Sequence, residues 1–177
     1  MPSDVQTAMK DSQYYFRTLV MPEFLKAFGG KMETVEGLPH SLTQKLDIAA
    51  GIDAVYEPPG CGPYGLALRI QYGKNYESFT VRCQRESGAK TEFTKRQESF
   101  QKGGLAPTLT LQAYIDRERS RLLAGAVART VDILQCIELG HCDKHVTGAS
   151  EIGRAAFYSV SWNTLDKLGM PCRRFGI

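Results

Sequence analysis

The chain is expected to fold as a single α/β domain, a sandwich of helices around a central mixed sheet of four to five strands. Three features of its 177 residues point there. Runs of period two at 66–72, 79–83 and 108–115 mark strands, because successive strand side chains face opposite ways. Stripes of period 3.6 near 5–19 and 126–139 mark helices. A composition of 42% apolar and 23% charged residues supports one core, and no repeat, low-complexity tract or linker divides residues 1–177.

Near the N-terminus Val5, Ala8 with Met9, Tyr15 with Phe16, and Leu19 with Val20 recur every three to four positions behind Ser3 or Asp4 as a cap. Pro22 should then break or kink this helix, and PEFLKAF should form a second short one that Gly29-Gly30 stops. After an extended piece at 31–35, the strand-like IDAVY at 52–56 follows Gly51 and ends at Pro58-Pro59-Gly60. It carries Asp53 at its start. In the next strand Leu66, Leu68, Ile70 and Tyr72 share one face and Ala67, Arg69 and Gln71 the other. In FTVRC, Phe79, Val81 and Cys83 oppose Thr80 and Arg82.

Residues 84–106 are polar, charged and glycine-containing, and are expected to form a mobile excursion or long loop. TLTLQAYI then alternates, with Leu109, Leu111, Ala113 and Ile115 inward and Thr110, Gln112 and Tyr114 outward. A helix is expected from about Ala126 to Leu139, on the stripe of Val127, Thr130 with Val131, Leu134 and Ile137, capped by Gly140. AAFYSVSW reads as a strand, and Asn163 opens a short helix that ends at Gly169. Leu68, Ile70, Leu111, Val131 and Leu134 are the expected core.

The longest apolar run, Leu122 to Ala128, is far short of the roughly 18 to 20 residues that cross a bilayer. No membrane span is expected. Residues 1–30 lack the order of basic run, apolar block and cleavage site that marks a secretory signal, so the expected location is cytoplasmic. Five cysteines without such a signal should be reduced thiols, Cys83 and Cys136 buried among them. Cys136, His141, Cys142 and His145 carry zinc-binding side chains, but C-x4-H-C-x2-H has only one compact half where structural sites use two, and no zinc is expected. Phosphate-loop, GxGxxG, HExxH and GxSxG motifs are absent. No local spacing supports a cysteine nucleophile paired with His40, His141 or His145.

Charge is distributed unevenly. Overall 22 basic and 19 acidic residues give +3, but residues 1–60 are net −3 and 61–177 net +6. Between Arg69 and Lys102 stand eight basic residues against four glutamates, with Tyr72, Tyr76, Phe79, Phe93 and Phe100 interleaved. Charge can meet phosphates there while rings meet bases or sugars. The plainer reading is a solvated segment whose aromatics dock on the core.

An N-terminal helix, a strand bearing one aspartate, a hairpin neighbour with two polar residues at i and i+2, and a following helix form an order that resembles the PD-(D/E)XK nuclease superfamily, over about residues 15–137. In that family the aspartate and an acid on the second strand hold one or two Mg²⁺ ions, and a lysine two residues on helps activate the attacking water. The resemblance implies that Asp53 is the family aspartate and metal ligand, although Ile52 replaces the proline before it. Arg69 falls where the second acid belongs and Gln71 where the lysine belongs, while Glu23 matches the accessory acid that some members place before the first strand. On this reading Asp53, Gln71 and Glu23 are the catalytic candidates, with Mg²⁺ as cofactor if the protein is active. A permanent positive charge at Arg69 repels a metal, so a working site must recruit another acid, with Glu57, Glu77 and Asp47 nearest in sequence. Otherwise the chain is a metal-free descendant. From the residues alone, Asp53 and Arg69 on adjacent strands also read as a structural ion pair on the solvent side of the sheet.

If the strands pair in register, Arg69, Gln71, Arg82, Gln112 and Tyr114 project from one side of one sheet, and Arg85, Lys95 and Arg96 extend the basic surface. Arginine grips phosphate bidentately and glutamine positions polar edges, so the backbone of DNA or RNA is the ligand class that these residue types match. The expected function is therefore nucleic-acid binding or processing. An equally open alternative is a non-enzymatic interaction protein, such as a small inhibitor or accessory factor of phage or mobile-element type, that sets the same face against a protein partner.

Overall fold

A computed structural model describes residues 12–35, 51–147 and 155–176. The protein is a mixed α+β sandwich of two sheets and their helices. Among the described residues nine strands form: β1 Lys31–Thr34, β2 Ala54–Glu57, β3 Tyr64–Tyr72, β4 Ser78–Arg85, β5 Leu109–Ile115, β6 Leu122–Arg129, β7 Asp143–Val146, β8 Ala155–Ser161 and β9 Arg173–Phe175. Four α-helices are α1 Met21–Phe28, α2 Glu92–Lys102, α3 Thr130–Glu138 and α4 Trp162–Lys167. The main sheet has the order β1-β2-β3-β5-β6-β9, in which β3 and β5 are parallel and every other pair antiparallel. The smaller sheet is β4-β8-β7, antiparallel throughout.

Each face of the main sheet owns a core. On one face Leu66, Leu111, Ala113, Ile115, Val127 and Phe175 pack with Phe16, Val20 and Phe24 of the N-terminal helix. On the other, Ala124, Ala126, Ala128 and Tyr114 meet Phe79 and Val81 of β4, Val160 of β8, and Ile133, Cys136, Trp162 and Leu165 of α3 and α4. Burial on both sides explains why β6 is small and apolar along its whole length.

PEFLKAF forms the expected short helix, α1, with Pro22 in its first turn and its end at Gly29, although the backbone stays helical from residue 12 into it. Residues 12–15 are helical, Phe16–Val20 widen into a π-helical stretch, and α1 continues from Met21. The wider turn, closed by the Met21 N–H on the Phe16 carbonyl, accommodates a residue that lacks its own N–H, with Pro22 in the first turn of α1. Other sequence expectations need correction. Within 84–106, expected as a loop, lies the eleven-residue helix α2, capped by the Thr91 side chain on the Thr94 N–H (3.4 Å) and ended by Gly103 in the left-handed conformation. The helix expected from Ala126 starts only at Thr130, because Ala126–Arg129 belong to β6, where alanine is chosen for its size between two layers. Starting there turns Val131 outward, 43% exposed, while Thr130, Ile133, Leu134 and Ile137 face in. Finally, 79–83 is no part of the central sheet, which has six strands instead of four or five. Among the other expected core residues, Leu111 and Leu134 are buried, and Leu68 and Ile70 are half-buried.

The end of α3 is as expected at Gly140. Its N–H and that of His141 return to the carbonyls of Ile137 and Cys136 at 3.1 and 2.8 Å, the paired bonds of a Schellman cap. All five cysteines are free thiols, with Cys136 buried, Cys61 exposed and Cys83, expected to be buried, half-buried. Ser3, Asp4, His40 and Asp47 lie outside the described residues. Among the described residues, no helix is long and apolar enough to cross a membrane.

Where β6 meets β9, Gly125 is paired with Phe175, whose ring lies where a Cβ would stand and packs edge-on against Phe24 and Phe28. Gly125→Ala is therefore expected to destabilise the fold by about 1–3 kcal/mol through overpacking, read as a lower urea midpoint with an unchanged m-value.

Candidate nucleic-acid interface

Parallel pairing of β3 with β5 sets Arg69 beside Gln112 and Gln71 beside Tyr114 on one face of the main sheet. Along β5 that face does not look into water, and on β3 it is half-buried. The β4-β8-β7 sheet folds over it and is joined to it along β5. There the Tyr114 hydroxyl donates to the Ser78 carbonyl at 2.8 Å, and Gln112 Oε1 accepts from the Thr80 hydroxyl and N–H at 3.2 and 3.3 Å. Gln112 and Tyr114 are both fully buried, so the two residues expected to face outward act as the seam between the sheets. Burial, opposed by hydrogen bonding to Ser78, pushes the Tyr114 phenol above its ordinary pKa and keeps it a donor.

Away from the seam the sheets enclose two recesses, and Arg69 lines both. The first, about 240 Å³, is bounded by β3, β4 and α2 and lined by Gly51, Asp53, Leu68, Arg69, Arg82, Arg85, Lys90, Glu92, Lys95 and Arg96. Six cations thus face two carboxylates. Glu92, the first residue after the Thr91 cap, anchors the cluster by bonding Arg69 at 2.6 Å and Arg96 at 2.5 Å, and it accepts the Arg82 N–H at 3.3 Å. Burial alone would raise the Glu92 pKa, but the two guanidinium groups and that N–H hold it below the ordinary carboxylate value. Arg96 is itself buried and leans on Thr110, whose hydroxyl shares a hydrogen with Thr130.

Arg82 sits differently. Desolvation and the nearby charges of Arg69 and Arg85 lower its pKa, opposed by Glu92. Its Nε is buried without a hydrogen-bond partner, as is that of Arg69. Both guanidinium groups lie over the Phe157 ring, 5.3 and 5.2 Å from its centroid. Lys90 is drawn to Glu98 at 2.6 Å, whereas Arg82, Arg85 and Lys95 make no ion pair among the described residues. Two of the six cations thus share the single negative charge of Glu92, and one pairs with Glu98. The remainder concentrate positive potential inside a recess.

No known family model, curated protein or solved structure matches this chain. Its chemistry must be read from its own side chains.

Asp53 lines the cationic recess, with Oδ2 accepting the Leu68 N–H at 2.7 Å, and Arg69 turns to Glu92 instead of to Asp53. The cross-strand Asp53–Arg69 pair is thereby replaced by a strand-to-helix pair that the loop reading of 84–106 hid. Glu23 is not brought to this site. It lies on α1, at the other face of the main sheet, 3.6 Å from Lys26. Glu57 and Glu77 are exposed and line neither recess. Gln71 lines the second recess, not the first. The donors do not suit Mg²⁺: Glu92 is committed to two guanidinium groups and Asp53 faces the same cations, which repel a metal, and among the described residues no three His, Cys, Asp or Glu side chains come together. The last statement applies equally to the described Cys136, His141, Cys142 and His145.

Residues that sequence reading missed are Glu92 and Phe157, while Lys90 belongs to the basic run between Arg69 and Lys102. The T-E-F-T order at 91–94, a threonine with an acid just behind it, is a helix-start signal that would have exposed Glu92. Nothing local marks Phe157.

Proposed function

We propose that this protein binds nucleic acid, seating a backbone phosphate in the cationic recess between β3, β4 and α2. The observation that carries the reading is the charge balance there: Arg82, Arg85 and Lys95 have no ion-pair partner among the described residues, and Arg82 and Arg69 each hold a buried Nε without an acceptor. A phosphate supplies several acceptor oxygens and the negative charge that this cluster lacks, and arginine meets it with two parallel N–H groups. The PD-(D/E)XK-like order of elements points to the same ligand class. Glu92 then acts as an orienting anion that holds Arg69 and Arg96 together at the recess, and binding requires no metal.

The test is fluorescence anisotropy with single- and double-stranded DNA and RNA across a salt series, with Mg²⁺ and with chelator. Binding that strengthens at low salt, follows a linear dependence of log affinity on log salt, and is unchanged by chelator is the expected outcome. Lack of binding to every strand at low salt, where the electrostatic contribution is greatest, overturns the reading and favours a protein partner. Cleavage that needs Mg²⁺ contradicts the account of the donor set.

A further inference from the structure

The second recess, about 650 Å³, lies on the far side of Arg69 and is walled by alternate residues of three strands. From β4 come Ser78 and Thr80, from β8 Phe157, Ser159 and Ser161, and from β7 Asp143 and His145, cross-strand neighbours in register. Gln71 and Arg69 of β3 close the opposite wall, with Tyr76 at the rim, 61% exposed. The recess opens to solvent along β7, where Asp143 and His145 are exposed, and deepens toward Gln71, with the Phe157 ring standing among hydroxyls, an amide, an imidazole and a carboxylate. Their small size leaves the space unfilled. Gln71 Oε1 is buried there without a hydrogen-bond partner, and an orphaned buried acceptor is costly unless something donates to it.

We infer that this second recess receives a nucleobase whose phosphate occupies the cationic recess, so that the binding unit is one unstacked nucleotide, from a single strand or free. This rests on the phosphate reading above and extends it. The two recesses share Arg69, as the two ends of a nucleotide would require. A base has what the wall asks for: edge N–H and carbonyl groups for Gln71, Ser159 and Thr80, and a flat face to lie against the Arg69 guanidinium and Phe157 ring, which already stand together. A paired base inside a duplex cannot enter without leaving its stack, so the geometry selects single strands over duplex.

The probes are a short fluorescent single strand of mixed sequence, the same strand with abasic sites throughout, its duplex, and a mononucleotide as competitor. Ser159→Phe fills the recess from the middle of β8 and leaves the arginines in place. Gln71→Leu removes the buried amide without touching the cationic recess and guards against misfolding of the first variant, and both are checked by circular dichroism and thermal melting. Wild type is expected to bind the base-containing strand roughly tenfold more tightly than the abasic strand, and each variant to lose that difference while retaining abasic binding. Competition by the mononucleotide at comparable concentration assigns the site to free nucleotides, and its failure to compete assigns it to strands. Equal binding of abasic and base-containing strands, unchanged in the variants, overturns the base site and leaves the phosphate site standing. Tighter binding of duplex than of single strand also overturns it. Failure of all probes to bind overturns both.

Discussion

Replacing Glu92 by glutamine is expected to destabilise the protein by about 3 kcal/mol, because removal of one partner leaves Arg69 and Arg96 as uncompensated, desolvated neighbours. Arg96 is the more sensitive of the two, since its side chain is only 6% exposed. The effect carries a pH signature. The Glu92 pKa is lower in the folded protein than in the unfolded chain, so its contribution is complete above the unfolded value of about 4.3 and is lost as pH falls through the folded one. Wild type should lose stability more steeply than Glu92→Gln in that acid window, and their urea midpoints should converge there after differing at pH 7. Inorganic phosphate should raise the melting temperature of Glu92→Gln more than that of wild type, by supplying the missing anion. Equal midpoints for the two proteins at pH 7 would show that the cluster is not held by this carboxylate.

The double substitution Arg82→Ala with Arg85→Ala should act in the opposite sense on folding and binding. Arg82 is disfavoured in its charged form by desolvation and by the fields of Arg69 and Arg85, so its removal should leave the melting temperature unchanged or raise it. Affinity for nucleic acid at low salt should meanwhile fall by at least about tenfold, since hydrogen bonds to charged groups contribute about 1.5–3 kcal/mol each. The slope of log affinity against log salt should fall by about two, one for each lost phosphate contact. Isothermal titration over a salt series gives both quantities. A loss of stability with an unchanged salt slope would make these arginines scaffolding and remove the phosphate site.

The strands 66–72 and 108–115 were legible because a period of two survives in any half-buried strand. Their outward residues were recognised as polar but not as enclosed. A sequence records which side chains share a face, and Arg69, Gln71, Gln112 and Tyr114 do share one. What covers that face depends on where a later segment lands, and the departure of β4 into a second sheet has no local signal. The helix stripe was misread at 126–129 for a related reason: a strand buried on both faces needs small apolar residues throughout, and LLAGAVAR has no polar phase to show its period. The π-helical accommodation of Pro22 likewise depends on packing, since Phe16, Val20 and Phe24 must all reach the same core.

Residue chemistry settled much in advance. The mixed α/β class, the absence of an apolar run long enough to span a bilayer, the surplus of cations between Arg69 and Lys102, and the phase of the strands all follow from local composition and periodicity. Those properties are additive along the chain and need no knowledge of contacts. Pairing is another matter. Glu92 lies twenty-three residues from Arg69, and Phe157 meets Arg82 as its neighbour on the adjacent strand and Arg69 from the other sheet. Whether a cation is neutralised or left for a ligand depends on distances of a few ångströms between groups remote in sequence, because ion pairing and desolvation change steeply over that range. Folding therefore assigned Arg96 and Arg69 to Glu92 and left Arg82, Arg85 and Lys95 around a recess.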